Sequence, residues 1–427
     1  MLISFRVKNF RSIVDATIDL RYAEGKAPNG YGEMETIPFF DNKDKSKRVV
    51  PVLALYGANA SGKTNLVRAL FNFWNLVKNG LYEVSSENRL HPELKMTSFE
   101  IVFLKDGEEY SYLIEFCGNA GIKNEVLKHG ETIVFSIKDS KLENSEKLET
   151  VFYKREKLEN ILAVECFDGN ALQKFSFLSK IATNYAGLNT DISRAYSFMI
   201  QDMQSFGGNE FHPGETLDAL AKIFPREEAL KKVEDIIKKL DLGIKRIEFN
   251  KEIVQIDERG AVKFVGERPP FVPRRIDEKQ AFVDYFHSFH ADVLGNEVRF
   301  NFGEESAGTR LALGLIGFLL FVLETGKTIF IDELDCSLHS LVFREVVRLF
   351  KDKNYNKNAA QIVFTAHNTD LLDTDVLRVS ELGIVNKTLT AGTTLTRLSD
   401  FEGIRNVTGF RRRYLNGEFS GIPFPCI

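Results

Sequence analysis

Cysteines are scarce in this chain, and apolar runs are short. Its 427 residues include four cysteines, none of them in a CxxC pair, at Cys117, Cys166, Cys336 and Cys426. Such spacing disfavours a disulfide scaffold or a zinc site and favours the reducing cytoplasm. The longest apolar stretch, Leu311 to Leu323, is shorter than the roughly 20 residues of a membrane span, so we predict a buried helix and no membrane. The strand-like start, Met1 to Lys8, lacks the apolar core of a signal peptide.

Neither sign of charge is in clear excess, because 56 Lys and Arg residues oppose 60 Asp and Glu residues, for a net charge of −4. A protein that wraps DNA non-specifically would be basic, so any contact with nucleic acid must be confined to a local patch. Hydrophobic residues make up 44% of the chain, which excludes intrinsic disorder. Tryptophan occurs once against 36 phenylalanines, whose rings supply the buried area of a core. The length predicts two or three domains.

A glycine-rich segment follows a continuous apolar run, Val49 to Tyr56, that predicts a buried strand. The segment, Gly57-Ala-Asn-Ala-Ser-Gly62-Lys63-Thr64, matches the phosphate-binding loop (P-loop) in full, and helical periodicity follows over Asn65 to Val77. In such a loop, backbone N–H groups surround phosphate oxygens, the lysine reaches the β- and γ-phosphates, and the Thr hydroxyl ligates Mg²⁺. The predicted nucleotide contacts are Gly57, Ala58, Asn59, Ala60, Ser61, Gly62, Lys63, Thr64 and Asn65.

Two later apolar segments also end in residues that can do chemistry. Asp332 and Glu333 end the first of them, and His367 ends the second. Parallel α/β sheets place ligand sites at the carboxyl ends of their strands, so we expect these side chains to lie beside Lys63. Asp332 would hold Mg²⁺ with Thr64, Glu333 would polarise an attacking water, and His367 would contact the γ-phosphate. In a chain without a P-loop, the same pattern would indicate only a polar loop and a hydrogen-bonded structural histidine.

The segment Glu305-Ser306-Ala-Gly308-Thr309 opens the helix predicted at Leu311. A Ser or Thr ahead of a helix is first an N-cap, which satisfies the free backbone N–H groups of the first turn. A helix start with a glycine and a free hydroxyl is also an anion-binding site. The two roles are compatible, and both stay open at this point.

The order of these motifs is similar to that of an ABC-type ATPase head. The start Asn9-Phe10-Arg11-Ser12 resembles that of SMC-like repair ATPases, and Asp332-Glu-Leu-Asp335-Cys-Ser-Leu-His339 resembles their Walker B and D-loop. The strongest resemblance is to stand-alone prokaryotic ABC ATPases of the RloA and OLD (overcoming lysogenization defect) type. It rests on Glu305-Ser306-x-Gly308-Thr309, Thr365-Ala-His367-Asn368 and the tail Tyr414-Leu-x-Gly417-x-Phe-x-Gly421-Ile-Pro423. It covers roughly residues 1–116 and 290–427, at the two ends of the chain.

The resemblance implies an α/β fold, an ABC-type P-loop NTPase head interrupted by a mixed strand and helix insertion. The predicted N-terminal lobe, with the P-loop, covers residues 1–117. The insertion, residues 118–290, contains strands followed by a helical arm, and residues 291–427 form the C-terminal lobe. In such families a glutamine after the first helix usually touches Mg²⁺. Glu100 is a candidate for that position, and an ordinary acid on an edge strand is the alternative.

The resemblance also implies a homodimer, or a higher homo-oligomer, in which two heads enclose two ATP molecules. Ser306 and Gly308 of one subunit would face the γ-phosphate bound by Lys63 of the other, and Asp335 would line the seam. The single P-loop of the chain agrees with this arrangement, because a closed sandwich needs a second copy.

The implied activity is Mg²⁺-dependent ATP hydrolysis that opens and closes the dimer and signals to a separately encoded effector. In prokaryotic defence against phage, that effector would be a nuclease or a Toprim-like protein. One alternative is an SMC-type repair head that binds DNA directly, although the balanced charge and the short helical arm at Arg226 to Leu240 disfavour it. The other is a transporter ATPase, which the large insertion and the lack of a membrane-coupling helix pattern disfavour.

Three weaker patterns have ordinary explanations. His287-x-x-His290 would hold a metal only with a third ligand. Asp373-Thr-Asp375 is similar to the DxD of a Toprim nuclease, but no Toprim-sized segment follows it, so the nuclease half of full OLD proteins is expected to be missing. Arg411 to Arg413 would contact nucleic acid or an acidic partner, or form a solvated surface.

Overall fold

The computed structural model divides the chain into two compact units. The first consists of Met1–Gly207, Gly326–Leu334 and Val347–Ile427, and the second of Gly208–Thr325 and Asp335–Val346. Within them the structure describes residues 1–22, 37–38, 48–81, 88, 91–118, 120–149, 154–169, 172–185, 190–207, 213–257, 273–335, 338–372, 376–388, 390, 392–404 and 409–422.

Strands and helices are both abundant, which confirms the predicted α/β class. In chain order the strands are β1 (Leu2–Phe10), β2 (Ile13–Asp19), β3 (Ile37–Pro38), β4 (Arg48–Val49), β5 (Val52–Tyr56), β6 (Thr97–Lys105), β7 (Glu108–Cys117), β8 (Gly121–His129), β9 (Thr132–Lys138), β10 (Lys141–Asn144), β11 (Met203–Gly207), β12 (Arg246–Gln255), β13 (Arg274–Arg275), β14 (Gln280–Ala291), β15 (Glu297–Asn301), β16 (Thr328–Asp332), β17 (Gln361–Thr365), β18 (Leu382–Thr388) and β19 (Gly392–Arg397). The α-helices are α1 (Lys63–Asn79), α2 (Arg155–Glu165), α3 (Phe177–Asn184), α4 (Thr190–Ser197), α5 (Pro213–Leu220), α6 (Arg226–Lys239), α7 (Ala307–Thr325), α8 (Ser340–Lys351) and α9 (Phe410–Leu415).

The first unit is built on a 13-stranded sheet with the order β10-β9-β8-β7-β6-β1-β2-β19-β18-β5-β17-β16-β11. From β10 to β2, neighbouring strands are antiparallel. For β6 and β7, the alternation of apolar and polar residues on either side of the turn Lys105 to Glu108 predicts the hairpin that is observed. From β18 to β11, neighbouring strands are parallel. The carboxyl ends of β5, β17 and β16 therefore lie side by side along one edge of the sheet.

An aromatic core holds α1 against the antiparallel strands. The predicted apolar stripe of α1 is buried, and its Phe73 ring lies 5.6 Å from that of Phe5 and 6.0 Å from that of Phe99. Phe99 also lies 5.6 Å from Phe116 and 5.7 Å from Phe10. Because α1 begins at the P-loop, this packing fixes the position of the loop relative to the sheet.

The sheet continues beyond the predicted end of the N-terminal lobe at residue 117. Strands β8 to β10 extend it, and β11 pairs with β16 at its far edge, so residues 118–207 belong to the first unit rather than to a separate insertion. The strand β8 was not predicted, because its inward-facing Glu125 interrupts the apolar alternation. The fully buried Glu125 carboxylate accepts hydrogen bonds from the backbone N–H groups of Phe177 and Leu178 at the start of α3.

The second unit contains a small sheet in which β14 pairs with β12, β13 and β15. Helices α5, α6 and α7 accompany it, and α6 coincides with the helix predicted from Arg226. Helix α7 is long and apolar enough in composition to span a membrane. However, most of its residues, including Leu313, Leu319 and Leu323, are buried, which confirms the predicted buried helix.

One of the weaker sequence patterns, the segment Asp373 to Asp375, lies outside the described residues.

Candidate functional site

An open cavity of about 530 Å³ lies at the carboxyl edge of the parallel strands, and its volume is typical of a small-molecule site. All of its lining residues belong to the first unit. They are Ser12, Ala58, Asn59, Ala60, Ser61, Gly62, Lys63, Thr64, Asn65, Arg68, Asp332, Glu333, His367 and Lys387. The structure thus brings together the P-loop, both strand-end acids and the strand-end histidine.

The P-loop follows β5 and leads directly into α1. Two left-handed residues, Ala60 (φ +64°) and Gly62 (φ +107°), turn the chain so that α1 begins at Lys63. The side chain of Lys63 is 6% exposed, and its Nζ donates to the carbonyl oxygens of Gly57 at 2.6 Å and Ala58 at 3.2 Å. A positive charge is thus held inside the loop by acceptors that a phosphate oxygen can replace.

Gly62 is required here for two reasons. Its φ of +107° is one that residues with a side chain rarely adopt. A Cβ atom at this position would also lie 2.2 Å from Thr393 Oγ1. A glycine at position 62 therefore allows β19 to approach the loop closely.

A chain of hydrogen bonds ties the P-loop to both ends of the sequence. Thr393 Oγ1 donates to the carbonyl oxygen of Ser61 at 2.9 Å and therefore accepts from Ser12 Oγ at 2.8 Å. Asn65 Nδ2 donates to Ser12 Oγ at 2.7 Å. Sequence reasoning noted Ser12 only as part of the start motif and missed both Ser12 and Thr393 as site residues, because the contact between them joins positions 381 apart.

Basic side chains add positive charge around the loop. Arg68 and Lys387 line the cavity and are exposed. Arg11 precedes the lining residue Ser12, and burial together with the nearby charge of Arg68 lowers the pKa of its guanidinium. Like charges brought together in a concave site attract anions, so the cavity favours a polyphosphate.

The two acids are fixed by the neighbouring strand β17. Thr365 Oγ1 donates to Asp332 Oδ1 at 2.6 Å and accepts the backbone N–H of Glu333 at 2.7 Å. Glu333 has a positive φ of +56°, which is unusual for a residue with a side chain and ends the extended backbone of β16. His367 Nε2 lies 3.8 Å from Glu333 Oε1, and both side chains are about half exposed. The cavity therefore contains an accessible carboxylate with a histidine beside it.

The residues present fit a Mg²⁺-nucleotide. The Ser61 hydroxyl oxygen is buried, and within the described residues it has no hydrogen-bond partner. Thr64 and Asp332, which line the same cavity, supply the oxygen ligands that Mg²⁺ prefers. A bound phosphate group would accept hydrogen bonds from both the Ser61 hydroxyl and the buried Lys63 ammonium.

Comparison with known proteins agrees with this geometry. A family model described as "AAA domain, putative AbiEii toxin, Type IV TA system" matches residues 52–373, three quarters of the chain. The chain belongs to this AAA domain family. The match begins at β5 and ends after His367, so it includes the P-loop, both acids and the histidine of this AAA domain.

Two solved structures are also similar to this AAA domain protein. The SMC head domain from Thermotoga maritima is 13% identical, with a TM-score of 0.41, and the match covers 93% of this chain and 98% of that one. The Smc head domain from Pyrococcus furiosus, with an extended coiled coil and bound to the C-terminal domain of ScpA, is 12% identical, with a TM-score of 0.41 and coverage of 98% and 99%. No curated protein matches the chain.

Other predicted site residues of the AAA domain lie in the second unit. Ser306 precedes α7, and its Oγ accepts the backbone N–H of Thr309 at 3.1 Å, so it is an N-cap of that helix. Gly308 lies in the first turn of α7, and Asp335 is also in the second unit. These three residues therefore belong to the unit that does not contain the P-loop.

The pair His287 and His290 does not form a metal site. Three residues apart on β14, the two side chains point to opposite faces of the sheet. His290 Nε2 instead lies 2.6 Å from Glu305 Oε1, beside the N-cap Ser306. Among the residues that the structure describes, no cluster of His, Cys, Asp and Glu could hold a metal ion.

Glu100, the candidate for the glutamine position, is not among the described residues that line the cavity. It lies on β6, opposite Arg6 of β1. Because β6 is flanked by β1 and β7, it is an interior strand and not the edge strand that the alternative explanation assumed.

Proposed function

We propose that this protein is a Mg²⁺-dependent ATPase of the ABC type, related to the RloA and OLD ATPases. The observation that supports it is the convergence of Lys63, Asp332, Glu333 and His367 in one cavity. These residues come from three neighbouring strand ends, which is where parallel α/β sheets bind their ligands.

Nucleotide binding follows from the P-loop. Its backbone N–H groups and the amino-terminal end of α1 would surround the β-phosphate, and the Ser61 hydroxyl would gain a partner. Lys63 would exchange the carbonyl oxygens of Gly57 and Ala58 for phosphate oxygens. Arg68 and Lys387 would offset the remaining negative charge at the cavity mouth.

Thr64 and Asp332 are the residues that would hold Mg²⁺. When bound, the ion neutralises the charge that develops on the phosphate oxygens during hydrolysis. Thr365 keeps the Asp332 carboxylate oriented through its 2.6 Å hydrogen bond. The second oxygen of Asp332 is thereby free to face the cavity.

Glu333 is the group that would take a proton from the attacking water. Its carboxylate is half exposed and its backbone is fixed by Thr365, so a water can approach while the side chain stays in place. His367, 3.8 Å away, would contact the γ-phosphate or orient the same water.

Replacement of Thr365 tests this positioning. Thr365→Val keeps the shape of the side chain but removes both of its hydrogen bonds, so we expect kcat for ATP to fall about tenfold, with ATP affinity changed less than about twofold. Thr365→Ser should restore kcat, because it restores the hydroxyl. Steady-state phosphate release and calorimetry measure the two quantities. An unchanged kcat in the valine variant would contradict the role of Thr365.

We further propose that two copies of the chain form a homodimer that closes on ATP. Each chain has one P-loop and one helix start of the kind found in ABC signatures, so a complete site would need Ser306, Gly308 and Asp335 from a second copy. Closure and opening would signal to a separately encoded nuclease or Toprim-like effector in a cytoplasmic antiphage module. The family description as a toxin of a Type IV TA system agrees with a defence setting.

Direct DNA binding through the C-terminal arginines finds little support. Arg411 is paired with Asp370 at 3.0 Å and Arg413 with Glu418 at 2.6 Å, so two of the three charges are already offset. We therefore propose that nucleic acid would bind the effector rather than this chain.

Phosphate release by the purified full chain tests the proposed activity. We expect release from ATP in the presence of Mg²⁺, its loss on addition of EDTA, and its return with excess Mg²⁺, because Thr64 and Asp332 are ligands suited to that ion. Binding of ATP without any release would contradict the catalytic part of the proposal. Absence of both binding and release would contradict the whole of it.

A further inference from the structure

Residues 409–422, here called the C-terminal clamp, form the short helix α9 and a chain reversal that follows it. The helix α9 is followed by left-handed residues at Gly417, Ser420 and Gly421, which bend the chain back on itself. The Phe419 ring packs 5.4 Å from Phe401 and is buried. The clamp is therefore a fixed structure rather than an extended tail.

One end of the clamp lies behind the first residue of the P-loop. The backbone N–H of Gly421 donates to Asn386 Oδ1 at 2.8 Å, and its carbonyl oxygen accepts from Tyr414 Oη at 2.9 Å. A Cβ atom at Gly421 would lie 2.7 Å from Ile384 and 3.6 Å from the Cα of Gly57. Only a glycine allows this approach.

Tyr414 connects this contact to the strand that carries the loop. Its ring meets that of Tyr56, the last residue of β5, edge to face at 6.2 Å. Burial raises the pKa of Tyr414 to about 12, so its hydroxyl stays a neutral donor to Gly421 at physiological pH. Tyr56 and Gly57 are thus supported from behind by Tyr414 and Gly421.

The other end of the clamp holds the segment that follows His367. Arg411, from α9, donates through Nε to Thr369 Oγ1 at 3.1 Å and pairs with Asp370 at 3.0 Å. The backbone N–H of Asp370 in turn donates to Asn368 Oδ1 at 2.8 Å. Arg411 therefore acts on the residue next to His367 through one intermediate.

We propose that the C-terminal clamp positions two walls of the nucleotide site, the P-loop through Gly421 and Tyr414 and His367 through Arg411. This rests on the proposed ATPase function. The two ends have different consequences, because the P-loop binds nucleotide whereas His367 acts during hydrolysis. Loss of the Arg411 contact affects kcat, and loss of the Gly421 contact affects nucleotide affinity.

Arg411→Ala tests the His367 end. Loss of a partly exposed ion pair and one hydrogen bond should lower kcat about fivefold, with KM for ATP within about twofold of the wild type. Arg412→Ala is the matched control, since within the described part of the chain the exposed Arg412 side chain has no hydrogen-bond or ion-pair partner. Asp370→Ala should reproduce the effect, and the double variant should be no worse than either single one, as expected for residues that act as a pair.

Tyr414→Phe tests the P-loop end. It removes only the hydroxyl that donates a hydrogen bond to the carbonyl oxygen of Gly421, so the fold should be retained. We expect the Kd for ATP to rise about threefold and kcat at saturating ATP to stay constant. Gly421→Ala is the stronger variant, because it introduces both the forbidden φ and the clash with Ile384. Calorimetric titration with ATP gives Kd, and thermal unfolding shows whether each variant is folded.

Two results overturn the proposal. The first is equal behaviour of Arg411→Ala and Arg412→Ala while the wild type hydrolyses ATP, which leaves the proposed function intact. The second is a parallel loss of kcat and affinity in both end variants that follows a lower melting temperature, which would indicate a structural role alone. If the wild type has no ATPase activity, it is the proposed function that fails, and the Kd measurements with Tyr414→Phe still test the P-loop end.

Discussion

Lys63→Ala is expected to weaken ATP binding by at least about 100-fold, which corresponds to about 2.7 kcal/mol at 25 °C. Lys63 is the buried cation of the P-loop, and its present acceptors are the carbonyl oxygens of Gly57 and Ala58. In the complex these contacts would be replaced by charge-assisted bonds to phosphate, which are roughly twice as strong as neutral ones. Calorimetric titration with ATP and Mg²⁺ measures the loss.

A matched control separates this effect from a general change of charge. Lys78 lies in the last turn of the same helix, α1, with its Nζ 4.4 Å from the centre of the Trp74 ring. At 1.5 Å per residue it is about 22 Å from Lys63, so Lys78→Ala should bind ATP like the wild type. Unchanged affinity of the Lys63 variant, with a normal melting temperature, would count against the P-loop assignment.

Glu333→Gln is expected to bind ATP normally but to hydrolyse it at least about 100-fold more slowly, since a general base contributes 10²- to 10⁴-fold. The substitution keeps the size of the side chain and the backbone N–H that Thr365 accepts at 2.7 Å. With water activation lost and binding retained, the ATP-bound state should accumulate. We therefore expect light scattering to show a dimer in ATP and Mg²⁺ and a monomer without nucleotide.

The double variant Lys63→Ala/Glu333→Gln is the control for this trap. Because it should not bind ATP, it should remain monomeric under the same conditions. A dimer in the double variant would show that association is independent of nucleotide. A monomeric Glu333→Gln that still binds ATP would rule out the sandwich arrangement while leaving the P-loop assignment intact.

The sequence predicted the parts of the site that are local in the chain. A glycine-rich loop between an apolar strand and a helix, and acids or a histidine after later apolar strands, are recognisable because adjacent residues carry the signal. The positions of Thr393 and Lys387 were not recognisable. Lys387 lines the cavity and Thr393 contacts the P-loop only because β18 and β19 lie between β5 and β2, and strand order is not encoded in any short pattern.

Short sequence patterns also predicted only the local elements of the fold. The hairpin of β6 and β7 follows from strict alternation, and the helices α1, α6 and α7 follow from apolar stripes. The strand β8 was missed because its inward position is occupied by Glu125, whose buried carboxyl group accepts hydrogen bonds from a helix start about fifty residues later in the chain. The predicted boundary between the N-terminal lobe and the insertion at residue 117 falls between β7 and β8, which are neighbours in one sheet.

The position of β18 and β19 has a consequence for biosynthesis. In the sheet, β5 is linked to β1 and β2 only through these two late strands, and Ser12 meets Thr393 across 381 positions. A nascent chain on the ribosome can therefore complete the sheet between β5 and β2 only after β19 has been synthesised. The hydrogen bonds from Ser12 through Thr393 to the carbonyl oxygen of Ser61 in the P-loop form at the same late stage.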